Sequence, residues 1–172
     1  MATQHLIEQG HRRIAFVSGA MRTISRQRRF AGYGRALVEN GIPLDEALVP
    51  RSSDLGDADS GPLARTAVHA LLALDDQPTA LVAVNDMVAL SASATIRDAG
   101  RDIAEFAVVG FDDTPIARLI SPALTSVQQP LREMAEAVVR LTVDGAGAGE
   151  PRTSLVFPPR LVVRASTERR IG

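Results

Sequence analysis

A chain of 172 residues has the size of one ordinary domain. Hydrophobic residues make up 45%, enough to bury a core, but only 3% are aromatic and none is Trp, so that core must be aliphatic and rich in alanine. A formal net charge of -1 argues against broad attraction to nucleic acid or an anionic membrane, and zero cysteines exclude disulfides, thiolate zinc sites and a cysteine nucleophile.

The opening stretch, Met1 to Arg13, is polar and charged and holds no signal-peptide core. Ile14-Ala15-Phe16-Val17 is a short apolar run closed by Ser18-Gly19, the pattern of a buried strand. Phe30, Ala31, Gly34, Leu37 and Val38 then recur at helical spacing, and Asn40-Gly41 stops that helix. Ala47-Leu48-Val49 reads as a second strand, ended by Pro50. Ser60-Gly61-Pro62 opens a helix whose inner face is Leu63, Ala67, Val68, Leu71 and Leu72. Ala80 to Val84 is a strand; Asn85-Asp86 follows, with Asp86 in the place of an N-cap, and a helix of small residues runs to Ala99-Gly100. Phe106 to Val109 and Leu124 to Val127 are further strands. Pro130 starts a last helix with Leu131, Met134, Val138 and Leu141 on one face, and Asp144 to Gly149 is a glycine-rich loop. Leu161-Val162-Val163 is a final strand.

Strands apolar on both faces and separated by helices predict an α/β domain, doubly wound, with a mostly parallel sheet. Such folds gather ligands at the C-terminal ends of the strands. The polar pairs just past those ends are Ser18-Gly19, Asn85-Asp86, Asp112-Asp113 and Gln128-Gln129. No uninterrupted apolar run approaches the roughly 20 residues of a spanning helix, so neither a membrane segment nor a membrane partner is expected.

Four arginines crowd Ser25 to Leu37. Arg26, Arg28 and Arg35 read as a solvated helix face; Arg29 sits in the opening turn, where its fork reaches over the ligand edge to a carboxylate or a diol. No phosphate-loop or nucleophile-elbow pattern occurs. His5, His11 and His69 have no metal-ligand spacing and read as structural or surface residues. Asp112-Asp113 leaves three options open: an acid/base pair, a magnesium site, or acceptors for hydroxyls. An amide at a strand end, Asn85, both donates and accepts. No catalytic residue, metal or cofactor is assigned.

Five segments, "HLIEQGHRRIAFVSG", "SRQRRFAGYGRAL", "PTALVAVNDMVAL", "FAVVGFDDTPIARLISPALTSVQQP" and "PPRLVVRAST", resemble in content and order the effector-binding region of the lactose/galactose-repressor family of bacterial transcription regulators. That resemblance implies a non-enzymatic, cytoplasmic sensor for a small effector, a sugar or similar metabolite. It implies contacts at Ser25, Arg29, Asn85, Asp112 and Gln129, with Arg29 and Asp112 as the polar clamp. Asp86 takes a structural or switching part. Residues 1–129 and 154–172 would form the C-terminal lobe of the effector-binding fold. Residues 130–153 would be the crossover helix and loop that belong to the N-terminal lobe. A homodimer is implied, as is DNA contact only through a helix-turn-helix headpiece that this sequence lacks. An aromatic that family members use for stacking after the second strand is missing from "RSSDLGDADSG", which leaves two options open: Leu55 substitutes for it, or the ligand is not a stacked sugar ring. Without its usual partners, the apolar face of the 130–144 helix is expected to pack back on its own lobe or on a second copy. Two alternatives remain: a transporter's solute-binding protein, and a metal-dependent enzyme using Asp112 and Asp86.

Overall fold

A computed structural model describes residues 1–50, 61–103, 105–143 and 154–168. Leu55 and the glycine-rich loop of 144–149 lie outside the described residues. The chain runs α1 (Ala2–Glu8), β1 (Ile14–Val17), α2 (Ile24–Glu39), a 3-10 turn (Glu46–Leu48) and α3 (Gly61–Leu72). It continues through β2 (Ala80–Ala83), α4 (Asp86–Asp98), β3 (Ala107–Phe111), a second 3-10 turn (Pro115–Arg118) and β4 (Thr125–Gln128). α5 (Leu131–Val143), β5 (Arg160–Val162) and a third 3-10 turn (Ala165–Thr167) complete it.

The strands lie side by side in chain order, β1-β2-β3-β4-β5. The first three pairings are parallel, with Ile14 opposite Ala80 and Ala80 opposite Ala107; only β5 runs antiparallel, against β4. The expected doubly wound, mostly parallel α/β architecture is what forms. Its cause is the alternation of side chains along each strand. Ala15, Val17, Leu81, Ala83 and Val108 point to one face, under α3 and α4. Ile14, Phe16, Ala80, Val82, Ala107 and Val109 point to the other, under α1 and α2. Each large aliphatic side chain buried this way stabilises the fold by roughly 1.5–3 kcal/mol. Tyr33 adds a polar anchor: its hydroxyl donates to the Ile14 carbonyl at 2.8 Å, and burial pushes its pKa up to about 12.

Four expectations need correction. Residues 46–48 form a 3-10 turn rather than a strand, because the Asp45 side chain accepts from the Ala47 N–H and Arg13 grips the same aspartate at 3.1 Å. Asn85, not Asp86, caps α4: its side chain accepts from the Val88 N–H at 2.9 Å. Arg26 is not merely solvated; it donates to the Ala20 carbonyl at 2.8 Å and pins the loop after β1. Finally, of the two placements expected for α5, the one on its own lobe does not form. The helix has no buried residue, and Leu131, Val138 and Leu141 are 57%, 62% and 48% exposed. Met134 is half-buried, and Ala137 and Leu141 border a shallow hollow with Leu155 and Phe157.

The sequence reading also passed over α1. Its buried Thr3, Leu6 and Ile7 lie on one side of a two-turn helix too short to show a period.

Candidate effector site at the strand ends

The polar rim is built by the ends of three strands and the first turn of α2. Thr23 caps α2, accepting from the Arg26 N–H, and so fixes where the helix begins. Arg29 then falls one turn in. Its guanidinium lies over the Phe111 ring, 3.6 Å from the centroid, and Nη1 donates to the Val84 carbonyl. Val84 immediately precedes Asn85, and Phe111 immediately precedes Asp112. One arginine therefore ties the end of β2 to the end of β3. Ser25 is four residues before Arg29 on the same helix and is exposed.

Asp112 leaves β3 with φ 105, and its N–H donates to the Val127 carbonyl at 2.9 Å. Its Oδ1 accepts from the Gln129 side-chain amide at 2.9 Å. Arg29, Asn85, Asp112 and Gln129 are thus linked through bonds to one another or to each other's neighbours. A hollow of about 710 Å³ opens at Asp112 and Gln129, walled also by Arg132 and Arg160 among others, whereas Arg29 lines a separate hollow of about 280 Å³ with Phe111 and Tyr33. The wall of the larger hollow offers carboxylate acceptors, an amide and guanidinium donors, the set that recognises hydroxyls and anionic oxygens.

The neighbouring aspartates do different work. Asp113 is buried, with its side chain only 1% exposed, and pairs with Arg164 at 2.6 Å. Asp86 is wholly buried. Its Oδ1 accepts from the Ser126 hydroxyl at 2.6 Å, and its Oδ2 from the Thr114 N–H and hydroxyl at 2.6 and 2.8 Å. Gly110 makes room for that carboxylate, since a Cβ there would meet Asp86 Oδ1 at 2.3 Å. With three donors in place, Asp86 is a structural pin joining α4, the β3 turn and β4, not a metal ligand. Among the described residues no group of three His, Asp or Glu side chains could hold a metal ion. His11 is buried against the Thr79 hydroxyl and His5 bonds Thr167, both at 2.9 Å.

Sequence reasoning passed over Phe111 and Arg164, and picked out Gln128 only as a strand-end residue. Phe111 lies two residues past the expected end of its strand, and nothing local shows that Arg29 covers its ring. Gln128 donates to Asp113 and accepts from Arg160, contacts that only the sheet register creates.

A strand-end rim of this kind, on this sheet, is that of a periplasmic-binding-protein-like domain. The family model so described matches residues 3–167, and the chain belongs to that family. Its relatives are transcriptional regulators of the LacI family, as the resemblance implied. The HTH-type transcriptional regulator DegA of Bacillus subtilis is 34% identical over 172 residues, covering 96% of this chain and 48% of its own. The HTH-type transcriptional regulator CelR of Thermobifida fusca is 38% identical, with 96% and 48% covered. A regulatory protein of the LacI family from Chloroflexus aggregans superposes with a TM-score of 0.85 at 31% identity, over 96% of this chain and 58% of its own. A CelR structure in complex with cellobiose gives 0.80 at 36% identity, over 95% and 49%. The chain spans about half the length of these curated regulators. No helix among the described residues is long and apolar enough to cross a membrane.

Proposed function

We propose that this domain senses a small polar effector, a sugar or related metabolite, for a cytoplasmic LacI-type transcriptional regulator. Ser25, Arg29, Asn85, Asp112 and Gln129 supply this lobe's contacts. Arg29 and Asp112 clamp the ligand from two sides. A second lobe closes over it, and DNA is read by a headpiece outside this sequence in a homodimeric protein. In this reading residues 1–129 and 154–172 belong to the C-terminal lobe. Residues 130–153 cross to its partner lobe, which explains an amphipathic α5 with no buried side chain.

The observation that carries this reading is Arg29 held across the ends of β2 and β3, next to the Asp112–Gln129 bond. A binding site needs polar groups fixed before the ligand arrives, and this arrangement fixes them. The cellobiose bound by a 36% identical regulator supports the ligand class. The names of the relatives favour a regulator over a transporter's solute-binding protein. The saturated Asp86 disfavours a metal enzyme.

The test is a thermal-shift and calorimetric screen of mono- and disaccharides, cellobiose included, on the two-lobed protein. Arg29→Ala and Asp112→Ala are each expected to weaken any hit about 10- to 100-fold, the range of a hydrogen bond to a charged group. Full affinity in both variants, or no response to any sugar, overturns the reading.

A further inference from the structure

Asp112 and Asp113 are consecutive non-glycine residues in the left-handed region, with φ 105 and 50. Such backbone persists only where its surroundings over-determine it. The bonds that do so come from Arg118, from β4 and, the shortest of them, from Arg164 51 residues on. We infer that Arg164 is the positioning residue for Asp112: it holds Asp113, and through it the turn that aims Asp112 at the rim. This rests on the reading that Asp112 meets the effector.

The geometry is specific. Arg164 lies behind the turn, its side chain 14% exposed. Nη2 donates to Asp113 Oδ1 at 2.6 Å while Nη1 donates to the Leu124 carbonyl at 2.7 Å. Its own N–H donates to Thr125 Oγ1 at 2.8 Å, which locks the arginine to β4. Gln128 donates to Asp113 Oδ2 at 2.8 Å, Arg118, with its side chain 62% exposed, reaches the same oxygen at 3.5 Å, and the Asp113 N–H donates to Ser126 Oγ at 3.0 Å. Arg164 follows β5, the segment that comes back after α5. A shift of that returning segment pulls on Asp113 directly and on Asp112 one peptide further. The clamp thus couples the aim of an effector ligand to the connection between lobes.

Amide hydrogen exchange on this chain tests the clamp without any ligand. The reporters are the N–H groups of Asp112, Asp113 and Thr114, compared with those of Leu81 and Val82 in β2, which is paired on both sides. Arg164→Gln is expected to speed exchange at the three turn amides about tenfold or more relative to the sheet amides. Ser166→Ala is the control. Ser166 lies in the same returning segment, donates to the Val108 carbonyl at 2.6 Å, accepts from the Thr125 N–H at 2.8 Å and makes no bond to the turn, so its loss should loosen β3 and β4 without singling out those amides. Equal acceleration of turn and sheet in Arg164→Gln overturns the inference, as does selective loosening of the turn in Ser166→Ala. If Arg164→Gln does not fold, Arg164→Lys carries the test. It keeps the charge but loses the fork, so a smaller selective rise is expected, and none refutes the clamp. The sugar screen on the unmodified protein speaks only to the ligand reading, so the two can fail separately.

Discussion

α4 and α5 have the same length, 13 residues, and both read from the sequence as helices, the first of small residues and the second with an apolar face. Yet α4 buries seven residues and α5 buries none. The difference is not in the helices. α4 starts where β2 ends, and Asp86 nails its first turn to Thr114 and Ser126, so its inner face must land on the sheet. α5 starts beyond β4, past Pro130, and among the described residues its side-chain hydrogen bonds stay within the helix. Amphipathicity states that a face needs a partner; only the connections decide where the partner is.

The sharpest way to break the α4 side of that contrast is Gly110→Ala. Its Cβ would sit 2.3 Å from Asp86 Oδ1 and 2.9 Å from Leu124 Cδ2, so the pin and the core must both move. Urea unfolding should register a loss of about 3 kcal/mol or more. A loss under about 1 kcal/mol would mean that Asp86 is not the anchor described here. On the α5 side the expectation is the opposite. Val138→Ser with Leu141→Ser removes two large apolar side chains, each about half exposed or more. Chemical unfolding of this chain should shift by no more than about 0.5 kcal/mol per site. A drop above about 2 kcal/mol for the pair would place α5 against the lobe or a second copy. The smallest effect belongs to His5, which joins α1 to the last 3-10 turn through Thr167. Burial lowers its pKa below 6.5, against a weaker upward pull from Glu8. The unfolded chain then takes the proton more readily than the folded one. Its contribution is fully present above about pH 6.5 and is lost as pH falls through the folded value. Melting temperature should decline from about pH 7.5 to about pH 5.5, and His5→Gln should flatten part of that decline; an unchanged slope would assign the loss to other groups.

Much of the fold was legible because its signals are local. Apolar runs of four or five residues, each ended by polar residues or glycine, marked β1 to β4 nearly to the residue. What failed was also physical. Ala47-Leu48-Val49 has the composition of a strand, but the cap offered by Asp45 and held by Arg13 wins over it. Asn85 and Asp86 look interchangeable as caps on paper. Burial separates them: the half-exposed amide caps the helix, while the buried carboxylate takes the three donors that a chain 28 to 40 residues away provides.

The candidate site divides the same way. Arg29, Asn85, Asp112 and Gln129 could be picked out because strand ends in a parallel sheet share one edge. Phe111 under Arg29, and Arg164 behind Asp113, could not. The first looks like core, and the second lies 51 residues from its partner.

The sequence by itself determined the layers of this protein, since alternating apolar side chains in short strands leave a covered sheet as the only way to bury them. Only the tertiary structure decided which carboxylate faces the rim, which is pinned inside and which helix goes unpartnered. Those outcomes depend on donors and surfaces brought together from distant parts of the chain, and no local pattern records them.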